Sequence, residues 1–140
     1  MPELPEVETV ARTLRPQVQD CRLGAAQVLR SSSLHPLSLP LERLAGARVA
    51  AVGRRGKLLL LDLDPSAAVD TALRAATGLR LAIHLRMTGR VRTVEAACPP
   101  GPYTRCVFAL RTPAGEARQL FFDDVRAFGL VLAATPDILA

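Results

Sequence analysis

Beyond about Arg22 the apolar residues of this chain come in short runs of four to seven, each broken by Gly, Pro or polar residues. The runs are Ala47 to Val52, Leu58 to Leu63, Leu79 to Leu85, Val107 to Leu110, Gln119 to Phe122 and Leu130 to Ala133. Runs of this length between turn-forming residues read as strands of a two-layered β-sandwich or flattened barrel. The clearest is Leu79-Arg80-Leu81-Ala82-Ile83-His84-Leu85-Arg86. Strand geometry puts Leu79, Leu81, Ile83 and Leu85 on one face and Arg80, His84 and Arg86 on the other. His84 therefore belongs to a basic face.

Only the first residues follow a different period. Leu4, Val7, Ala11, Leu14 and Val18 recur at spacings of three and four, with Pro5 suited to a first turn and Glu6 and Glu8 near the positive end of the dipole. The spacing predicts an amphipathic helix over 4–18, so the fold class is mainly β with an N-terminal α-helix. Segments 30–44, 65–78 and 95–104 are rich in Pro, Ser, Ala or Gly and read mainly as loops, with a helical turn at Leu41 to Leu44 and a short helix within 65–78. At 140 residues the chain suffices for one core, and a single domain over 1–140 is expected.

Composition narrows the function classes. No apolar run approaches the roughly 20 residues that cross a bilayer, and Met1-Pro2-Glu3-Leu4-Pro5-Glu6 is acidic where a signal peptide would be basic. A soluble, intracellular protein is expected. Cys21, Cys98 and Cys106 are an odd number at wide spacings, from which neither a disulfide framework nor a four-ligand zinc site is read; they read as buried or incidental thiols. A net charge of +5 favours polyanionic partners such as nucleic acid. Of the 18 basic residues 17 are Arg, so the solitary Lys57 points to amine chemistry that a guanidinium cannot perform; the alternative is a lysine left by chance.

Removal of Met1 would leave Pro2 as a secondary amine at the chain terminus. An α-amino group has a reference pKa of roughly 7.7 to 8.0 against roughly 10.4 for lysine, so far more of it is nucleophilic at neutral pH. Such an amine can attack a sugar C1′ or a carbonyl and form an iminium. The following helix N-terminus disfavours the ammonium form, whereas Glu3 favours it. Glu3 is also placed to pass protons to and from the same centre. Met-Pro-Glu alone is equally an ordinary N-terminus ahead of a helix.

Four blocks in order add to this: Met1-Pro2-Glu3-Leu4-Pro5-Glu6-Val7-Glu8-Thr9, Arg54-Arg55-Gly56-Lys57, His84-Leu85-Arg86-Met87-Thr88-Gly89, and Asp124-Val125-Arg126-Ala127-Phe128-Gly129. Together they resemble the formamidopyrimidine-DNA glycosylases, and more loosely the endonuclease VIII branch, which usually has Gly where Leu4 stands. The resemblance implies a bacterial, cytoplasmic, nucleoid-associated base-excision repair enzyme. It would act as a monomer on damaged double-stranded DNA, away from membranes and without a diffusible cofactor. It implies Pro2 as Schiff-base nucleophile, Glu3 as proton donor and acceptor, and Lys57 as a phosphate contact that assists elimination. Glu6 would order the active site and His84 would bind phosphate. Met87, Arg126 and Phe128 would enter the base stack: Met87 filling the void, Arg126 facing the orphaned base and Phe128 wedging beside it.

The chain departs from the family pattern at three positions. Val125 and Ala127 replace a Pro and an Arg of the common form, and Tyr103 stands where many members have a DNA-contacting His. The family also continues with a helix-two-turn-helix segment and a four-cysteine zinc finger, so a structural zinc is expected only there and little activity is expected of 1–140 alone. Two further readings are a proline-based tautomerase, against which the Pro5-Glu6 helix start argues, and a non-catalytic DNA-binding module of the same fold.

Overall fold

The computed structural model describes residues 4–86, 88–126 and 129–136, with only the backbone described at Leu4 and Pro5. The helix spans the whole 3.6-residue period and ends with it, as α1 (Leu4–Val18). Val7, Ala11, Leu14 and Val18 are buried along one face. The Arg15 guanidinium donates to the Val52 carbonyl at 3.0 and 2.8 Å, pinning the last turn to the sheet.

Eight antiparallel strands follow: β1 (Arg22–Val28), β2 (Arg48–Arg55), β3 (Leu58–Asp64), β4 (Arg80–His84), β5 (Gly89–Glu95), β6 (Thr104–Arg111), β7 (Ala117–Asp124) and β8 (Leu130–Ala134). They are hydrogen-bonded in the order β5-β7-β6-β1-β2-β3-β4-β8. That order cannot lie flat. β4 and β5 stand six strand intervals apart, as do β7 and β8, which in a flat sheet is about 29 Å. The connection from His84 to Gly89 reaches at most about 18 Å, and that from Asp124 to Leu130 about 22 Å. The sheet must therefore fold over on itself.

The seam lies between β1 and β2, whose only register pair among the described residues is Arg22 with Arg48. Two four-stranded layers result, β5-β7-β6-β1 and β2-β3-β4-β8, facing each other across a single core. Leu23, Phe108, Leu120 and Phe122 enter it from the first layer, and Val49, Leu61, Leu81, Ile83 and Val131 from the second. The helix packs on β2 and β3 and reaches β5, closing one side of the gap. The sandwich or flattened barrel read from the sequence agrees with this architecture.

β1 and β5 are strands beyond those the apolar runs indicated. The helix expected within 65–78 is only the 3-10 turn Thr71–Leu73, started by the Asp70 carboxylate, which accepts from the Ala72 amide at 3.0 Å. Gly78, at φ 70, then turns the chain into β4, leaving no room for a longer helix. The turn at Leu41–Leu44 is present as a 3-10 helix.

Candidate nucleic-acid interface

Antiparallel register brings one set of loops to a single end of the sandwich. Arg55 pairs with Leu58, so Gly56 and Lys57 form a two-residue hairpin turn. Gly56 leads it at φ 59, a left-handed conformation that glycine adopts without steric cost. Leu58 pairs with His84, and His84 with Leu130. In the other layer Gly89 pairs with Asp124, and Thr104 with Asp123. The Lys57 turn, the end of β4, the 85–88 and 125–129 connections and the Tyr103 loop thus share one end. The first turns of α1 join them through an ion pair from Glu8 to Arg54 at 3.6 Å.

Within this cluster His84 is half-buried, and its Nδ1 is buried with no hydrogen-bond partner among the described residues. Burial lowers the imidazole pKa, and the cations Arg86 and Lys57 lower it further. His84 is therefore neutral at neutral pH, and the two cations that act on it suit the site to an incoming anion. It borders an open cavity of about 280 Å³ with His35, Leu58, Ala82, Arg86, Leu130 and Leu132.

Glu6 is exposed and lines a second cavity, of about 220 Å³, with Val10, Leu85, Thr88, Gly89, Arg90 and Val91. The first helical turn thus faces the 85–88 connection. Tyr103 is 48% exposed, with the Arg105 guanidinium 6.0 Å from its ring centroid. It borders a groove shared with Arg90, Arg92, Thr88 and Val125. Arg126 is exposed, and its backbone amide is anchored to Asp124 Oδ1 at 3.2 Å.

The structure thus gathers Glu6, Lys57, His84, Tyr103 and Arg126 at one end of the sheet. Pro2, Glu3, Met87 and Phe128 lie outside the described residues. Sequence reasoning assigned no task to Arg54, Thr88, Arg105 or Asp124. For Thr88 and Asp124 the one signal was their presence inside two of the four blocks.

Among the described residues no group of three or more His, Cys, Asp or Glu could hold a metal ion, and no helix is long and apolar enough to cross a membrane. Cys21 and Cys106 are buried and Cys98 partly so. Burial pushes the Cys106 thiol up to about 12, far from a reactive thiolate.

Residues 1–131 match the family model described as the formamidopyrimidine-DNA glycosylase N-terminal domain. The chain is 44% identical over 133 residues to the formamidopyrimidine-DNA glycosylase of Chloroflexus aggregans, covering 94% of this chain and 42% of that protein. It is 40% identical over 136 residues to the Deinococcus radiodurans protein of the same name, covering 97% and 43%. Among solved structures, the complex between the Lactococcus lactis Fpg and an abasic site containing DNA superposes with a TM-score of 0.77 at 25% identity, covering 98% of this chain and 45% of that one. The complex between the Lactococcus lactis Fpg and a FAPY-dG containing DNA gives 0.77 at 26% identity, with 98% and 46% covered. The chain spans less than half the length of these relatives. By the match over residues 1–131, it belongs to the formamidopyrimidine-DNA glycosylase N-terminal domain family.

Proposed function

We propose that this chain is the catalytic N-terminal portion of a base-excision repair enzyme that removes oxidised purines from duplex DNA and then cleaves the strand as a lyase. The observation that carries the reading is the convergence, at one end of the sandwich, of the first turns of α1 with the Lys57 hairpin, His84 and the 85–88 and 125–129 connections. The solved Lactococcus lactis relatives hold DNA carrying an abasic site or FAPY-dG, which supports a damaged strand as the partner.

In this reading the Pro2 amine attacks C1′ of the damaged nucleotide. The glycosidic bond breaks as nitrogen bonds to C1′ and loses its proton, and the departing base takes a proton supplied by Glu3. The C1′–O4′ bond then opens, O4′ takes a proton, and an iminium joins C1′ to the chain terminus. Loss of a C2′ proton then expels the 3′ phosphate, and a second elimination expels the 5′ phosphate. Lys57 holds a phosphate at the lesion and assists elimination. His84 donates to a neighbouring phosphate, and Glu6 orders the site facing the 85–88 connection. Met87, Arg126 and Phe128 occupy the space vacated by the extruded base. Extrusion costs a few kcal/mol of stacking and pairing, which these side chains offset in part.

Borohydride reduction tests the nucleophile, because it converts only an iminium into a permanent protein–DNA bond. Intact mass is expected to show loss of Met1, and Pro2→Gly should cut trapping on abasic DNA at least tenfold, roughly the loss expected when an activated amine is replaced by a weaker one. Undiminished trapping would move the chemistry to Lys57 or another amine. No adduct in the wild-type protein would leave a DNA-binding module without turnover.

A further inference from the structure

The carboxylate of Asp124 is buried, at 1% exposure, at the end of β7. Burying a carboxylate is unfavourable unless donors surround it. Here the donors come from two separate loops. The Thr88 hydroxyl, from the 85–88 connection, donates to Oδ1. The Arg126 amide, from the 125–129 connection, donates to that oxygen at 3.2 Å and lies 3.3 Å from Thr88 Oγ1. The Gly129 amide donates to Oδ2 at 2.7 Å. The Asp124 backbone is fixed as well: its amide donates to the Tyr103 carbonyl at 2.9 Å, and its carbonyl accepts from Arg105 Nε at 2.9 Å.

The neighbouring backbone is fitted to this contact. A Cβ on Gly129 would lie 3.0 Å from Asp124 Oδ2 and 2.8 Å from the His84 carbonyl oxygen, so only glycine allows the approach. Arg86, two residues before Thr88, stands at φ 56, a conformation non-glycine residues rarely adopt.

We propose that Asp124 is a positioning residue whose carboxylate clamps Thr88 to the Arg126 and Gly129 amides, so that Thr88 and Arg126 meet DNA as one preformed unit. The inference rests on the reading that Arg126 faces the base left orphaned by extrusion. Its physical content is preorganisation: the clamp holds Thr88 and the Arg126 backbone in place before DNA arrives, so binding energy is not spent on placing them.

The test uses the 140-residue chain and two variants. Thr88→Val keeps the shape and removes the donor, whereas Thr88→Ser keeps the donor and removes a methyl group. Borohydride trapping is measured on a duplex with an abasic site opposite 2-aminopurine, whose fluorescence reports insertion beside it, and on the abasic strand alone, which has no orphaned base. Thr88→Val is expected to lower both duplex trapping and the fluorescence response about tenfold, the scale of one charge-assisted hydrogen bond. Single-strand trapping should stay within about twofold of wild type, on the same scale. Thr88→Ser should behave as wild type. The clamp is refuted if Thr88→Val matches wild type on the duplex, if it loses both substrates equally, or if Thr88→Ser does not restore the duplex reaction. Those outcomes leave the functional reading standing, provided wild type forms its adduct. No wild-type adduct on either DNA would remove that reading and the clamp with it.

Discussion

At His84, partial burial and two cations act in the same direction on one imidazole. Its folded pKa lies below the ordinary 6.5, so the folded state resists protonation. The stability this contributes is complete above pH 6.5 and is lost as pH falls from there toward the lowered value. A phosphate arriving beside His84 reverses the balance, because the anion favours the imidazolium. Binding should then take up a proton and tighten as pH falls toward the lowered pKa of the unbound imidazole. Fluorescence anisotropy with duplex DNA between pH 7.5 and 5.5 should show that slope in wild type and a flatter one in His84→Gln. His35→Gln is the control: it borders the same cavity, and its Nδ1 already accepts from the Leu37 amide at 3.0 Å. An unchanged slope in His84→Gln would remove His84 from the phosphate site.

Among the elements, α1 gives the cleanest energetic contrast. Leu14 is 2% exposed in the core, whereas Arg12 points outward and meets only Glu8, at 3.8 Å, among the described residues. Leu14→Ala should lower unfolding free energy by about 2–5 kcal/mol, by lost transfer energy and the cavity left behind. Arg12→Ala should change it by less than about 0.5 kcal/mol. Urea unfolding measures both; similar losses would mean the helix is not docked by its apolar face. The helix and six strands were legible because each strand buries most of an apolar run. β1 and β5 were not. Gly24, Ala25 and Ala26 give β1 little apolar mass, and β5 is an edge strand with Arg90 and Arg92 turned outward. The site was legible by the same logic: Lys57 and His84 stood out within contiguous blocks. The tie from Thr88 to Asp124 did not, because it joins residues 36 positions apart and exists only through the register of β5 on β7.

For the whole molecule, a net charge of +5 makes salt the natural probe. The relatives have more than twice the matched length. The 140 residues taken alone should therefore hold fewer phosphates than a chimera supplying the remaining length of one relative. Every phosphate that goes unneutralised reduces the steepness of log K against log salt by about 0.9. Excision of 8-oxoguanine should suffer more than trapping at an abasic site, because bending and extrusion draw on binding energy. Equal slopes and equal excision by the two proteins would contradict this.

The fold-over of the sheet also bears on how the chain is made. β4 runs on into β5 across the core and β7 runs back into β8, so neither layer is built from contiguous sequence. On a ribosome the first layer must wait for β7 and the second for β8, when nearly all 140 residues have been synthesised. Until then the apolar faces of β2, β3 and β4 have only α1 to cover them and no opposing layer, a state that favours aggregation. Assembly is consequently late and dominated by distant pairings, a topology that folds slowly whatever its final stability.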